Sequence, residues 1–254
     1  MKGLLVIALA CLISFSYAQK TSGIIQYKET IKLDLDLSKM EDIPESVRSM
    51  IPTEQSVENL LYFTADASLY TNAEREDDEG VDYKSDDNSM QIDIQMQTPE
   101  HAYYKDLKTS EIVERQDLFG KRFLITGAKK MKWKLSNETK EVLGYTCKKA
   151  TIKKDGKAVE AWYTTAIPAS VGPGHFHALP GAVLAVNQGE GQRTIVATHI
   201  DFKKVEDGVI VKPKKGKKVN AEQFAKIAEE KAKEMAEMYG GNGTVIMKTE
   251  TIER

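Results

Sequence analysis

Cysteine is nearly absent. The chain of 254 residues holds two, Cys11 and Cys147, and Cys11 sits in an apolar leader, so no internal disulfide can staple the mature fold. Histidine is scarce too: His101, His175, His177 and His199 are the only four. After the first fifteen residues no apolar run approaches the about 20 residues that a membrane-crossing helix needs. Neither sign of charge dominates, with 36 basic and 38 acidic residues, which removes any global reason to bind nucleic acid or an anionic membrane. No Gly-x-Ser-x-Gly nucleophile elbow occurs, and no glycine-rich phosphate cradle opens a helix. These absences predict a protein that is not an enzyme and holds no cofactor.

What is present begins with an export signal. Lys2, the apolar run Leu4 to Phe15 and the small residues of Ser16-Tyr17-Ala18 form a leader over residues 1–18, cut before Gln19. Lipidation at Cys11 fits less well, because Leu9 lies two residues before the cysteine rather than three. The expected location is therefore the periplasm or the outer membrane. Residues 19–254 are expected to form one domain, a size at which about 70% of the unfolded surface can be buried in a single core. Cys147, the one cysteine left after cleavage, is a candidate reactive thiol, but its expected role is that of a small buried hydrophobe.

The period of the apolar residues is two. Ile25, Tyr27, Ile31, Leu33, Leu35 and Leu37 alternate with Gln26, Lys28, Thr30, Lys32, Asp34 and Asp36. Side chains on a strand point alternately to its two faces, so this stretch is a half-buried antiparallel strand. A short helix is expected from Asp42-Ile43-Pro44 to before Pro52. Further strands are predicted over 57–64, 68–72, 90–96, 102–105, 111–116 and 122–126, then around Trp133 and Leu135. A turn is expected at Asn137-Glu138-Thr139, a strand through Tyr145 and Cys147, and a hairpin about Asp155-Gly156. The fold class is mainly β: a curved antiparallel sheet or partial barrel, bowl-like, with a C-terminal amphipathic helix.

That helix is predicted over residues 220–239. Asn220 caps it, with Gln223 three residues on, and Phe224, Ile227, Ala228, Met235, Met238 and Tyr239 form an apolar stripe. The acidic stretch Glu74 to Asp87 reads as a solvated loop, since its spacing does not match a calcium loop. The lysines between Lys212 and Lys218 read as a connector.

The most unusual segment is Gly172-Pro173-Gly174-His175-Phe176-His177-Ala178-Leu179-Pro180-Gly181-Ala182-Val183-Leu184. Gly172, Pro173, Phe176, Leu179, Pro180 and Gly181 resemble the signature of the GLPGLI family, exported proteins typical of the Bacteroidetes, with Ala178 and Ala182-Val183 departing from it. Trp133-Lys134-Leu135, Gly144-Tyr145-Thr146-Cys147 and Ala161-Trp162-Tyr163-Thr164 resemble the family's approach to that motif. The resemblance implies a curved sheet or bowl, and one similar domain occurs beside a secreted glycan-cleaving enzyme. The expected function is a non-catalytic envelope module that holds a hydrophobic ligand, a peptide or a partner protein on a concave sheet, with the motif residues as its binding loop or its frame. The alternative is a metal-binding envelope protein: His175 and His177, placed on one side of a strand, would share Zn²⁺ or Cu²⁺ with His199 or a carboxylate.

Overall fold

The computed structural model describes residues 18–33, 45, 49, 51–74, 80–84, 90–95, 100–127, 131–154, 156–239 and 246–251. The expected leader up to residue 17, most of the acidic stretch and the glycines after the C-terminal helix lie outside them. So does the helix expected from Asp42, apart from Glu45 and Ser49, where the Ser49 amide donates to the Glu45 carbonyl at 3.0 Å. Among the described residues no helix is long and apolar enough to cross a membrane.

Among the described residues a 3₁₀ turn (Ala18–Thr21) leads into fifteen strands and one long helix. The strands are β1 Gly23–Lys32, β2 Glu54–Phe63, β3 Ala67–Asn72, β4 Gly80–Lys84, β5 Met90–Gln95, β6 His101–Asp106, β7 Ile112–Leu118 and β8 Lys121–Thr126. They continue as β9 Lys134–Val142, β10 Tyr145–Lys154, β11 Lys157–Thr164, β12 Ala182–Gln188, β13 Arg193–Asp201, β14 Lys217–Asn220 and β15 Ile246–Thr251. The helix α1 spans Ala221–Tyr239 and follows β14 directly.

Twelve strands form one sheet in the order β14-β8-β7-β6-β3-β2-β1-β13-β12-β11-β10-β9, and β15, β5 and β4 form a second of three strands. Every pair is antiparallel except β14 with β8, which run parallel. The large sheet is mixed, curved and open, with β14 and β9 as its edges. Its curvature is seen in one cavity lined both by Ile125 of β8 and by Ile152 of β10, strands near opposite ends of the order.

The two-residue rhythm places the core as expected. Ile25 and Tyr27 of β1 are fully buried, and Leu61 and Phe63 of β2 lie on the same face. Each such side chain contributes about 1.5–3 kcal/mol by leaving water. Glu29 shares that parity and is buried too; Arg193 Nε donates to its carboxylate at 2.7 Å. Cys147 lies in the same core with no exposure, and burial raises its thiol pKa to about 11. The helix packs on the β8–β14 edge, where Phe224 meets Phe123 edge-on at 5.4 Å. Asn220 and Gln223 exchange side-chain to amide hydrogen bonds of 2.8 and 2.9 Å, the capping box its sequence predicts.

The turn expected at residues 137–139 is not there. Strand β9 runs through it, and the turn falls at Leu143 and Gly144, both with positive φ. A lone edge strand tolerates Asn and Thr facing water, so turn-favouring residues alone do not end it.

Candidate functional site

The site is built by a loop laid over strands. Residues 165–181 leave β11, cross the concave face and re-enter the sheet as β12. Two glycines make the crossing possible. A Cβ on Gly172 would stand 2.0 Å from the Phe176 carbonyl oxygen, and one on Gly181, at φ 141°, would stand 2.0 Å from the Thr164 carbonyl oxygen. Phe176 and Leu179 are buried and anchor the loop in the core. Tyr27 ties the far end down by donating to the Val183 carbonyl at 2.7 Å. Pro180 is exposed.

The strands beneath present a cross-strand row. Ile125, Glu114, Tyr103, Tyr70 and Leu61 are direct partners across β8, β7, β6, β3 and β2. Residues in register on adjacent antiparallel strands share a face, so this row puts a carboxylate and two phenols under the loop. One register step along β6 from Tyr103, on the same face, comes Lys105.

The two loop histidines do not act together on one ligand. The His177 amide donates to the His175 carbonyl at 3.0 Å, a tight turn rather than a strand, and the imidazoles go separate ways. His175 is about one-third exposed, with Nε2 at 3.4 Å from Glu114 Oε2 and its ring edge-on to Tyr103 at 4.9 Å. His177 is 6% exposed, with Nε2 at 3.0 Å from the Tyr103 hydroxyl and Nδ1 at 3.2 Å from Lys105 Nζ. Its carbonyl accepts from Trp133 Nε1 at 2.8 Å. His199 is exposed on β13, in the register that β1 fills with Gln26. Among the described residues no three His, Cys, Asp or Glu side chains group as a metal site requires.

The electrostatics fix the proton positions. Burial, reinforced by the Lys105 ammonium, lowers the His177 pKa to about 3, so the ring is neutral at pH 7. Burial also lowers Lys105, to about 8, which leaves it mostly an ammonium. An ammonium only donates, so it donates to Nδ1, and Nε2 therefore carries the proton and donates to Tyr103. Burial first and Glu114 second push the Tyr103 phenol well above its ordinary range. His177 thus has no free lone pair and cannot act as a base. The exposed chemistry is the Glu114–His175 pair.

Two cavities meet at His177. One of about 790 Å³ runs between β6–β8, β10 and α1, lined by Tyr103, Glu114, Lys153, His175 and Phe224 among others. The second, of about 550 Å³, lies on the Lys105 side, with Leu107, Ile112, Pro168 and Ala169 in its walls.

Sequence reasoning found the loop but not Tyr103, Lys105 or Glu114. The local signal was weak: His101-Ala102-Tyr103-Tyr104-Lys105 shows no clean alternation, and only the register with β7 brings Glu114 beside Tyr103.

A family model described as "N-glycanase peptide, N-terminal domain" matches residues 83–225. No curated protein matches the chain. The solved structure of PNGF-II is similar in fold in two crystal forms, both with a TM-score of 0.52 and 16% identity. The matches cover 84% and 83% of this chain but 34% and 33% of the PNGF-II chain, so the protein spans about a third of that length.

These findings correct two expectations. The family matched is not the GLPGLI family. The degenerate motif records a bend, enforced by Gly172 and Gly181, that any loop needs to turn back across its own sheet this closely. The expectation of a protein that is not an enzyme, a non-catalytic envelope module, gives way as well, since the matching domain is named for an N-glycanase. Contiguous motifs were the wrong place to look for its chemistry, because loop and strands assemble the site from separate segments. With the match covering more than half of its length, the chain belongs to the family of N-glycanase peptide N-terminal domains.

Proposed function

We propose that the protein handles N-linked glycans outside the cytoplasm, taking a glycan into the groove between the concave sheet and α1. The observation that carries this reading is the groove itself, about 790 Å³, with the Glu114–His175 pair at 3.4 Å on its wall. A carboxylate accepts from sugar hydroxyls, an imidazole both donates and accepts, and the partly exposed Phe224 ring is an apolar surface for sugar C–H groups. The family match supports the substrate class. The leader over residues 1–18 and a single domain over residues 19–254 belong to the same reading.

A cleaving role has its own support. Glu114 is 13% exposed at its side chain, where a carboxylate can act as a general base on water once a substrate closes the groove. One experiment addresses both roles: calorimetric titration of an N-glycopeptide and of the same peptide without its glycan, followed by mass spectrometry of the mixtures. Binding of the glycopeptide alone, weakened at least tenfold by Glu114→Gln or His175→Ala, is the expected result. Release of the glycan that stops in Glu114→Gln assigns the cleaving role. Equal binding of the two peptides, or none of either, overturns the proposal.

A further inference from the structure

Lys105 is a buried cation without a buried anion. It is 7% exposed, and its Nζ has two partners, the Ser170 carbonyl at 3.0 Å and His177 Nδ1 at 3.2 Å. Both are neutral acceptors. Among the described residues no carboxylate forms an ion pair with it. The contrast inside the same sheet is sharp: Glu29, equally buried, has the Arg193 guanidinium at 2.7 Å. Taking an ammonium out of water costs several kcal/mol, and neutral acceptors return only part of that. Folded proteins rarely leave such a charge uncompensated.

The third proton of the ammonium is the one with a place to go. Lys105 lines the cavity of about 550 Å³, together with the apolar side chains of Leu107, Ile112 and Pro168 and the hydroxyl-bearing Thr64, Ser110 and Ser170. Among the described residues no acidic one is in its lining. A cavity with one cation, a few hydroxyls and greasy walls is complementary to a compact organic anion: the charge meets the ammonium, a planar carboxylate accepts from it and from hydroxyls, and the body fills the apolar part. The groove of the proposed glycan site lies on the opposite side of His177 and has its own polar pair, so this is a separate place in the molecule.

We propose that the cavity beside Lys105 is a binding site for a small organic carboxylate, anchored by the Lys105 ammonium. Two sources share this chemistry, an acidic sugar and the carboxylate of an amino acid or peptide. The acidic-sugar source rests on the glycan reading above; the site itself does not.

The test uses the full mature chain, titrated by calorimetry with N-acetylneuraminic acid, its methyl ester and N-acetyl-aspartate. At least one free acid is expected to bind, with the methyl ester at least tenfold weaker. Lys105→Met, with cooperative unfolding as its folding check, is expected to lose that binding. Binding of the sugar acid assigns a glycan ligand, and binding of N-acetyl-aspartate alone assigns an amino-acid or peptide one. Where Lys105→Met does not fold, the acid-against-ester comparison in the wild type still decides. Equal affinity for acid and ester, no binding of either acid, or undiminished binding to folded Lys105→Met each overturn the inference. A neutral N-glycopeptide that binds while both acids fail removes this site and leaves the glycan groove standing.

Discussion

Two elements cover the concave side of the sheet, and they do so by opposite means. The helix α1 covers the β8–β14 edge with an apolar stripe, Phe224 against Phe123, and is started by a capping box within four residues of sequence. The loop 165–181 covers the middle with little regular structure, and is held by contacts reaching 44 to 74 residues away: Trp133 to His177, Lys105 to Ser170, Tyr103 to His177. The helix is a local structure that then packs. The loop has no conformation of its own until the strands exist. Polar chemistry collects under the loop because its backbone, lacking a ladder, draws polar side chains from the strands to satisfy it.

The largest test of that difference strikes the loop's closest approach. Gly181→Ala puts a methyl group 2.0 Å from the Thr164 carbonyl oxygen at φ 141°, so we expect a loss of about 3–5 kcal/mol in denaturant unfolding. Gly216, at φ 143° beside β8, serves as a comparison: its Cβ would come only to 3.0 Å of the Phe123 carbonyl carbon, so Gly216→Ala should cost less.

The next effect is electrostatic and belongs to the loop alone. The folded-state pKa of His177 lies near 3, below the ordinary 6.5 of the unfolded chain. Between those values the unfolded chain binds the proton and the folded one does not. Stability from this group is therefore complete above pH 6.5 and lost as the pH falls toward 3, by about 2–4 kcal/mol. Urea melts from pH 7 to 4 should show this slope, and His177→Asn should flatten it. An unchanged slope in the variant would mean that other groups carry it.

The helix should respond more mildly. Asn220→Ala removes one half of the capping box and is expected to cost about 1 kcal/mol, read as fraying at the helix start by hydrogen exchange, with the loop's protection unchanged. The smallest effect has the opposite sign. Ala178 sits in the left-handed region at φ 66° and is exposed, so Ala178→Gly should raise stability by about 0.5–1 kcal/mol in the same melts.

Legibility followed the range of the interaction. The β1 alternation, the hairpin about Gly156 and the whole of α1 could be read because their signals lie within a few residues, where period and caps act. Glu29 escaped the alternation argument because its burial depends on Arg193, 164 residues away. The turn expected at Asn137 failed for the same reason in reverse, since pairing with β10 extended the strand through it. His175 and His177 were visible as residues and misread as a pair, because a strand would align their rings and the tight turn between them separates those rings.

By itself, then, the sequence determined the β class and the terminal helix, both properties of near neighbours along the chain. Tertiary structure alone decided which side chains share a cavity: it set Lys105 beside His177 without an anion and Glu114 beside His175. Those partnerships arise from register between strands and from a loop crossing them, and registers are fixed by cooperative packing that no short stretch of residues encodes.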